Sequence, residues 1–354
     1  MEEISQNLFQ EVLELLLPRE IIQLEALNKR IKLKLERSGK FLCLNCMLPG
    51  FSSLIPKKPS YKEFKSACKS IYQKKYRLVS AGLDKCIKVW DLKLGKETRV
   101  LKGHTSDVLD VASTQELIVS GSYDKSLRVW NTTQISCLMH SSPVRAVAIS
   151  QNSEYLVSGG SVLKVWHLPT NQVQALNGHN EDVWCTAIAP NNKFLVSGSK
   201  DKTLKVWNTL SSTETHTLQG HTCIVWCVAV SYNNEFIVSG SGDKTVRVWN
   251  SLSGVQTHLL EGHSRTVRSV VVTHENSFIV SGSGDKSIRV WSAKLGQAIK
   301  TFKGHTGSIC SLAISCDDEF IVSGGWDRSI RVWNLSSGTN LFVYSTSSFS
   351  SLTL

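Results

Sequence analysis

Proline is scarce, with 7 in 354 residues, and no apolar stretch reaches the roughly 18 residues that a membrane-crossing helix needs. A collagen-like or proline-rich chain is thereby excluded, and no spanning helix is expected. The amino terminus lacks a secretory signal, since Met1 is followed by Glu2 and Glu3 where such a signal carries lysine or arginine. A cytosolic or nuclear protein is the expectation. The 10 cysteines are few for a disulfide framework in a chain this long and sit mostly inside apolar runs such as Ala67-Cys68 and Trp226-Cys227, as buried thiols in a reducing compartment do. Cys43 and Cys46 form a C-x-x-C pair, but a structural zinc site needs a second pair or two histidines at ligand spacing, and none is near. Neither metal nor cofactor is expected. What the chain does hold, 41% hydrophobic and 19% charged residues, suits a folded globular core.

Acidic residues are also in deficit, 29 against 40 lysines and arginines, for a formal net charge of +11. That balance invites a nucleic-acid partner, but its distribution argues against one. Lys57, Lys58, Lys62, Lys65, Lys69, Lys74, Lys75 and Arg77 face the single acid Glu63, and much of the remaining excess recurs at fixed places in a repeat, spread around the molecule. No arginine-aromatic RNA motif accompanies it. A solvated basic segment over 57–77 is the preferred reading, a phosphate-binding patch the alternative.

The dominant signal is periodic. A tryptophan preceded by valine and a basic residue recurs at Trp90, Trp130, Trp166, Trp207, Trp249, Trp291 and Trp333, at spacings of 40, 36, 41, 42, 42 and 42 residues. Each unit reads as four short strands. In the fifth, Ile224–Val230, Glu235–Gly240, Thr245–Asn250 and Gln256–Leu260 are strand-like, and Ser-Gly-Ser-Gly-Asp-Lys supplies the turn between the second and third. One such sheet has two apolar faces and open edges, so it needs neighbours; radial stacking into a ring meets that need.

These residues resemble the WD-repeat family from about Tyr61 to Ser345. The resemblance rests on Gly103-His104, Gly178-His179, Gly220-His221, Gly262-His263 and Gly304-His305, and on Trp90-Asp91 and its later Trp-Asn copies. It implies an all-β fold, a seven-bladed WD-repeat β-propeller over 61–346, preceded by a short α-helical module at 1–56 and followed by a polar tail at 347–354. Residues 339–346 are expected as the outer strand of the last blade; closure by an amino-terminal strand near Met47–Ile55 is the alternative.

The resemblance also implies a hydrogen-bonded tetrad in each blade: His104, Ser120, Asp124 and Trp130; His179, Ser197, Asp201 and Trp207; His221, Ser239, Asp243 and Trp249; His263, Ser281, Asp285 and Trp291; His305, Ser323, Asp327 and Trp333. The spacing agrees, with each aspartate six residues and each serine ten before its tryptophan. Serine, histidine and aspartate together suggest a hydrolase triad, but a nucleophile acts at one site and this set recurs in five units, so the roles are structural and no catalysis is expected. Two units depart from the pattern. The first lacks a Gly-His, and the third has Met139-His140, a turn two residues shorter and no aspartate. Both should be less rigid. The basic residue two before each tryptophan recurs in every unit and reads as packing between sheets.

Residues in excess of the repeat mark a binding surface. Trp184 and Trp226 each lie five residues after a tetrad histidine, with Arg145 and Arg268 in the same slot of their own units; Trp326 precedes Asp327, and Tyr123 takes that slot in its unit. In related propellers both slots open onto one rim of the central channel, the mouth. Aromatic and arginine side chains of this kind dominate protein interfaces, so a protein or peptide partner is expected there, acidic or phosphorylated if the arginines read it. The alternative is that the tryptophans plug the channel.

Ahead of the repeats, Leu8, Val12, Leu15 and Leu16 form one helical stripe, Pro18 breaks the run, and Ile21, Leu24, Leu27 and Ile31 form a second. The stretch resembles an F-box, which docks on the adaptor of cullin-RING ubiquitin ligases; Leu16, Pro18, Ile21, Leu24 and Leu27 would then bind the adaptor. A self-associating helical hairpin would show the same stripes. The expected function is a non-catalytic protein-binding platform, as substrate-recognition subunit of such a ligase or as a scaffold in signalling, transport or RNA processing.

Overall fold

The computed structural model describes residues 77–91, 96–131, 135–346 and 349–354. The expected helical module with its adaptor-binding residues, the Cys43–Cys46 pair, the alternative closing strand and the basic segment up to residue 76 lie outside them.

The described chain is all strand and turn, in seven four-stranded antiparallel sheets. β1 (Arg77–Ala81), β2 (Cys86–Asp91) and β3 (Lys96–Lys102) belong to blade 1. Blade 2 is β4 (Val108–Ser113), β5 (Ile118–Ser122), β6 (Ser126–Trp130) and β7 (Ile135–Met139); blade 3 is β8 (Ala146–Ile149), β9 (Tyr155–Gly159), β10 (Leu163–His167) and β11 (Gln172–Leu176). Blade 4 runs through β12 (Val183–Ile188), β13 (Phe194–Ser199), β14 (Leu204–Asn208) and β15 (Glu214–Leu218), and blade 5 through β16 (Val225–Val230), β17 (Phe236–Ser241), β18 (Val246–Asn250) and β19 (Gln256–Leu260). Blade 6 holds β20 (Val267–Val272), β21 (Phe278–Ser283), β22 (Ser287–Ser292) and β23 (Ala298–Lys303); blade 7 holds β24 (Ile309–Ile314), β25 (Phe320–Gly325), β26 (Ser329–Asn334) and β27 (Asn340–Ser345). The four strands read in the fifth unit match β16 to β19 within one residue.

The last strand, β28 (Ser351–Thr353), pairs with β1 and becomes the innermost strand of blade 1. This corrects the expected polar tail. Phe349 and Leu352 are buried, and the Phe349 ring packs on Gly324 where a side chain would leave it no room. In blades 3 to 6 the equivalent glycines, such as Gly198 and Gly240, face the first inner-strand residue of the next blade, Val225 and Val267. Phe349 takes that place for blade 1. The outer strand expected over 339–346 is β27, so the carboxyl terminus supplies both the outer strand of blade 7 and the inner strand of blade 1. Pairing its edge with β1 removes the open edge that an incomplete ring would expose.

The inner strands contact one another in a closed circle, β4, β8, β12, β16, β20, β24, β28 and back to β4. Small polar side chains at one level tie most of them together. Ser269 Oγ accepts from Leu312 N at 2.9 Å, Ser311 Oγ accepts from Leu352 N at 3.2 Å, Ser351 Oγ donates to Asp110 Oδ1 at 2.7 Å, and Asp110 Oδ2 accepts from Val147 N at 2.8 Å. Burial pushes the Asp110 carboxyl up to about 6, and the three hydrogen bonds it accepts, from Val147, Ser351 and Val111, only partly offset that.

A folded-state pKa above the ordinary 3.8 means the native ring holds this proton more tightly than the unfolded chain. The stabilisation is full below the ordinary value and is lost as pH rises through about 6. The melting-temperature difference between the wild type and Asp110→Asn should therefore grow as pH falls from 7 to about 4. A difference that stays constant across that range would show that Asp110 is not protonated in the native ring.

Candidate functional site

Five blades carry a complete hydrogen-bonded chain at one end of the ring. In blade 5, Trp249 Nε1 donates to Ser239 Oγ at 2.9 Å, Ser239 Oγ lies 2.8 Å from His221 Nε2, and His221 Nδ1 lies 2.7 Å from Asp243 Oδ2. With the indole donating to the serine, the serine proton goes to Nε2, so the neutral imidazole carries its proton on Nδ1 and donates to the carboxylate. The chains on His104, His179, His263 and His305 repeat this within 0.1 Å at the histidine–aspartate contact. Burial lowers the pKa of His104, His179 and His305 and outweighs the nearby carboxylates. Burial would raise Asp243, yet the hydrogen bonds from His221 and Thr245 overcome it and hold the carboxyl well below its usual range.

A fifth member escaped the sequence reading. Ser126, Thr203, Thr245, Ser287 and Ser329, each two residues after the aspartate, donate to its second oxygen at 2.6–2.7 Å. Its signal was present as a hydroxyl residue at a fixed offset in all five units. The two irregular units are incomplete in the structure as well. In blade 1 Ser80 accepts from Trp90 at 2.8 Å, and Asp84 pairs with Lys88. In blade 3 His140 Nε2 reaches Ser158 at 2.7 Å, but its buried Nδ1 has no partner, and burial followed by Lys164 holds its pKa down to about 4.

The tetrad end also carries the expected mouth residues. Register shifts bracket Leu109, Trp184, Trp226, Arg268 and Cys310, each a bulged residue at the start of an inner strand. A bulge re-aims its side chain out of the regular alternation of the strand; Arg145 takes the same slot just ahead of β8, where the pairing shows no shift. Five of the six expected residues, all but Tyr123, form one continuous arc over blades 3 to 7. The Arg145 guanidinium lies 4.4 Å from the Trp184 ring centroid; Trp184 and Trp226 meet edge-on at 4.6 Å; Arg268 lies 5.0 Å from Trp226 and 4.4 Å from Trp326. Each cation–π contact contributes about 0.5–2 kcal/mol. Trp184 and Trp226 are half-buried, whereas Trp326 is 58% exposed. Tyr123 sits in the matching turn of blade 2, 53% exposed, and takes no part in the arc. The two arginines are not equivalent. Arg145 Nε pairs with Asp182 Oδ2 at 3.1 Å, a partner the sequence reading had not named, while Arg268 has no carboxylate partner among the described residues.

A family model described as WD domain, G-beta repeat, matches residues 95–131, 132–167, 170–208, 212–250, 254–292 and 296–334. The chain belongs to the WD-repeat family. Among WD-repeat relatives, the U3 small nucleolar RNA-associated protein 15 homolog of Xenopus laevis is 29% identical over 45% of this chain and 34% of its own. The B-type cell cycle switch protein ccs52B of Medicago truncatula is 33% identical over 39% of this chain and 31% of its own, and transducin beta-like protein 3 of Bos taurus is 31% identical over 37% and 20%. The chain thus spans about a third or less of these curated relatives. The crystal structure of the WD40 beta propeller domain of Doa1 is similar at 26% identity and a TM-score of 0.63, covering 71% of this chain and 87% of that one.

In this WD-repeat chain the recurring glycine of the Gly-His pair also has a packing cause. A side chain on Gly220 would meet Arg247 Nη1 at 2.6 Å and the Trp249 ring at 3.2 Å, and Gly103 and Gly262 stand against Arg128 and Arg289 in the same way. The basic residue two before the tryptophan is therefore packed at the tetrad rather than offered to solvent. The tetrad should act on stability alone. His221→Ala strands Asp243 and Ser239 and should cost about 2 kcal/mol, read by denaturant titration. An unchanged midpoint would contradict the assigned role.

Proposed function

We propose that the chain is a non-catalytic receptor whose mouth captures an acidic or phosphorylated segment of a partner protein. The observation that carries this reading is Arg268, a cation held between Trp226 and Trp326 with no carboxylate partner among the described residues. An arginine so fixed offers its fork to a carboxylate or phosphate at little entropic cost, and the adjoining indoles suit flanking apolar side chains. The surroundings favour an anion. Lys244, Lys286 and Arg328, one per blade over blades 5 to 7, are exposed at the same end, each in the left-handed turn conformation with φ of 73°, 71° and 58°. Glu181 and Asp182, on blade 4, are occupied by Lys200 and Arg145.

In this proposal the amino-terminal module binds a ubiquitin-ligase adaptor through Leu16, Pro18, Ile21, Leu24 and Leu27, and the chain works in the cytosol or nucleus as the ligase's substrate-recognition subunit. The support is the spacing of those residues in the sequence. A second reading, a scaffold subunit in RNA processing, draws on the similarity to a protein named for U3 small nucleolar RNA association. Pull-down of the full chain by purified adaptor separates them. Capture that is lost in Leu16→Ala/Ile21→Ala/Leu24→Ala supports the ligase reading; no capture by the wild type removes it.

A further inference from the structure

The strands of each blade alternate in direction, so the turns from first to second strand and from third to fourth lie at the end of the ring opposite the tetrads. They are bonded together there: Thr209 N donates to Lys193 O and Ser251 N to Glu235 O, both at 3.0 Å. Inside this circle of turns lies a cavity of about 320 Å³, lined by the last residues of five inner strands, Ile149, Ile188, Val230, Val272 and Ile314. Its size is that of a small ligand pocket, since these run from about 300 to 1,000 Å³. Gln151 lines it and is exposed, so the cavity opens to solvent. The rim is acidic. Exposed Glu116, Glu154, Glu235, Glu275 and Glu319 stand on the first-to-second turns against one lysine, Lys193, and none of the five pairs with a lysine or arginine among the described residues. Beyond the rim, Leu210 and Leu252 on the third-to-fourth turns of blades 4 and 5 are 79% and 86% exposed. These turns need Asn208 and Asn250, whose Oδ1 atoms accept from Leu210 N and Leu252 N at 3.0 Å. They need no leucine side chain, and Lys294 and Ser336 take the same place in blades 6 and 7. Apolar bulk in excess of the repeat marks a contact surface here as it does at the mouth.

We propose that this end of the ring docks a basic segment of a second protein, whose apolar side chains enter the cavity and cover Leu210 and Leu252 while its lysines or arginines face the glutamates. Charge decides the occupant. The acidic rim repels nucleic acid and anionic lipid and complements a cationic chain. The apolar contacts carry the affinity, and the charges set the choice of partner and its approach. With an anionic segment at the mouth, the ring brings two proteins together through ends of opposite preference. The far end binds whether or not the mouth is filled, so the two sites fail or succeed separately.

The test is fluorescence anisotropy of the full chain with a short fluorescein-labelled peptide of lysines and leucines. Replacing the peptide's leucines by alanine, or its lysines by glutamate, should weaken binding at least ~10-fold. On the protein, Leu210→Ser/Leu252→Ser and Glu235→Lys/Glu275→Lys should each weaken it by a similar factor, whereas Arg145→Glu/Arg268→Glu at the mouth should leave it unchanged. All four far-end positions are exposed, so the melting temperature should stay that of the wild type. No binding by the wild type, equal binding by wild type and both far-end variants, or a loss confined to the mouth variant overturns the proposal. Two other occupants are read in the same series. Phosphatidylserine vesicles that bind the wild type and are released by Leu210→Ser/Leu252→Ser would make the surface a lipid contact. A dimer by light scattering that Glu235→Lys/Glu275→Lys dissociates and the peptide does not displace would make the occupant a second copy, and either result also overturns the proposal.

Discussion

Truncation after Thr346 should leave a chain without a cooperative melting transition at physiological temperature. The deletion removes β28, and with it the buried Phe349 and Leu352, the pairing with β1, and the bonds from Ser350 Oγ to Val108 O at 2.6 Å and from Ser351 Oγ to Asp110 at 2.7 Å. Emptying two large core positions costs on the order of 5–10 kcal/mol, comparable to the whole stability of a domain at 5–15 kcal/mol. Losing the strand also reopens two inner-strand contacts, and Asp110 keeps a buried carboxyl with one partner fewer. Phe349→Ala/Leu352→Ala should show most of the same loss without shortening the chain. Thermal melts by circular dichroism read both; a truncated chain that melts within a few degrees of the full one would show that the ring closes without its carboxyl terminus.

Charge reversal at the mouth should produce the opposite pattern, a large loss of binding with little loss of fold. In Arg145→Glu/Arg268→Glu the arc loses its three cation–π contacts, about 0.5–1 kcal/mol each where the rings are partly exposed, and the melting temperature should fall by no more than about 10 °C. Capture of an acidic or phosphorylated segment should fall by about 100-fold or more, since each charge-assisted hydrogen bond to an arginine contributes about 1.5–3 kcal/mol and each glutamate adds repulsion. Trp184→Ala behaves differently, weakening acidic and neutral ligands alike, because it removes apolar area and the platform under Arg145. Equilibrium binding of the full-length variants to one captured partner distinguishes the two effects.

The repeat was legible because each blade repeats the same physical solution. A tryptophan, a hydroxyl, an imidazole and a carboxylate must stay at fixed offsets for their hydrogen bonds to close, so the pattern survives in the linear chain. The mouth was legible for the same reason in reverse: Trp184, Trp226, Trp326, Arg145 and Arg268 exceed what the repeat needs. Their arrangement was not, because the contact between Trp184 and Trp226 and the sandwich around Arg268 join residues 42 to 58 positions apart across neighbouring blades. Tyr123 shared a slot with Trp326 but makes no ring contact with the arc among the described residues, and slot position alone does not show which rings meet.

Ring closure was harder still. Ser351, Leu352 and Thr353 look like a polar tail because three residues of strand lack a readable period. Only the absent inner strand of blade 1 calls for them, and that absence shows once the sheets are counted. Asp110 was missed for a related reason. It stands in an inner strand where blades 4 and 5 have Cys185 and Cys227, and a lone acid in an apolar run gives no hint that Ser351, at the far end of the chain, donates to it.

The central claim is that the arc around Arg268 reads negative charge on a protein partner. It is tested most directly by passing a degenerate phosphoserine peptide library and its unphosphorylated counterpart over the immobilised full chain and over Arg145→Glu/Arg268→Glu, and sequencing what each retains. The account predicts that the wild type enriches phosphorylated peptides with apolar flanking residues and that the variant retains neither. Equal retention of phosphorylated and unphosphorylated peptides by the wild type, or the same enriched set on both proteins, would contradict it.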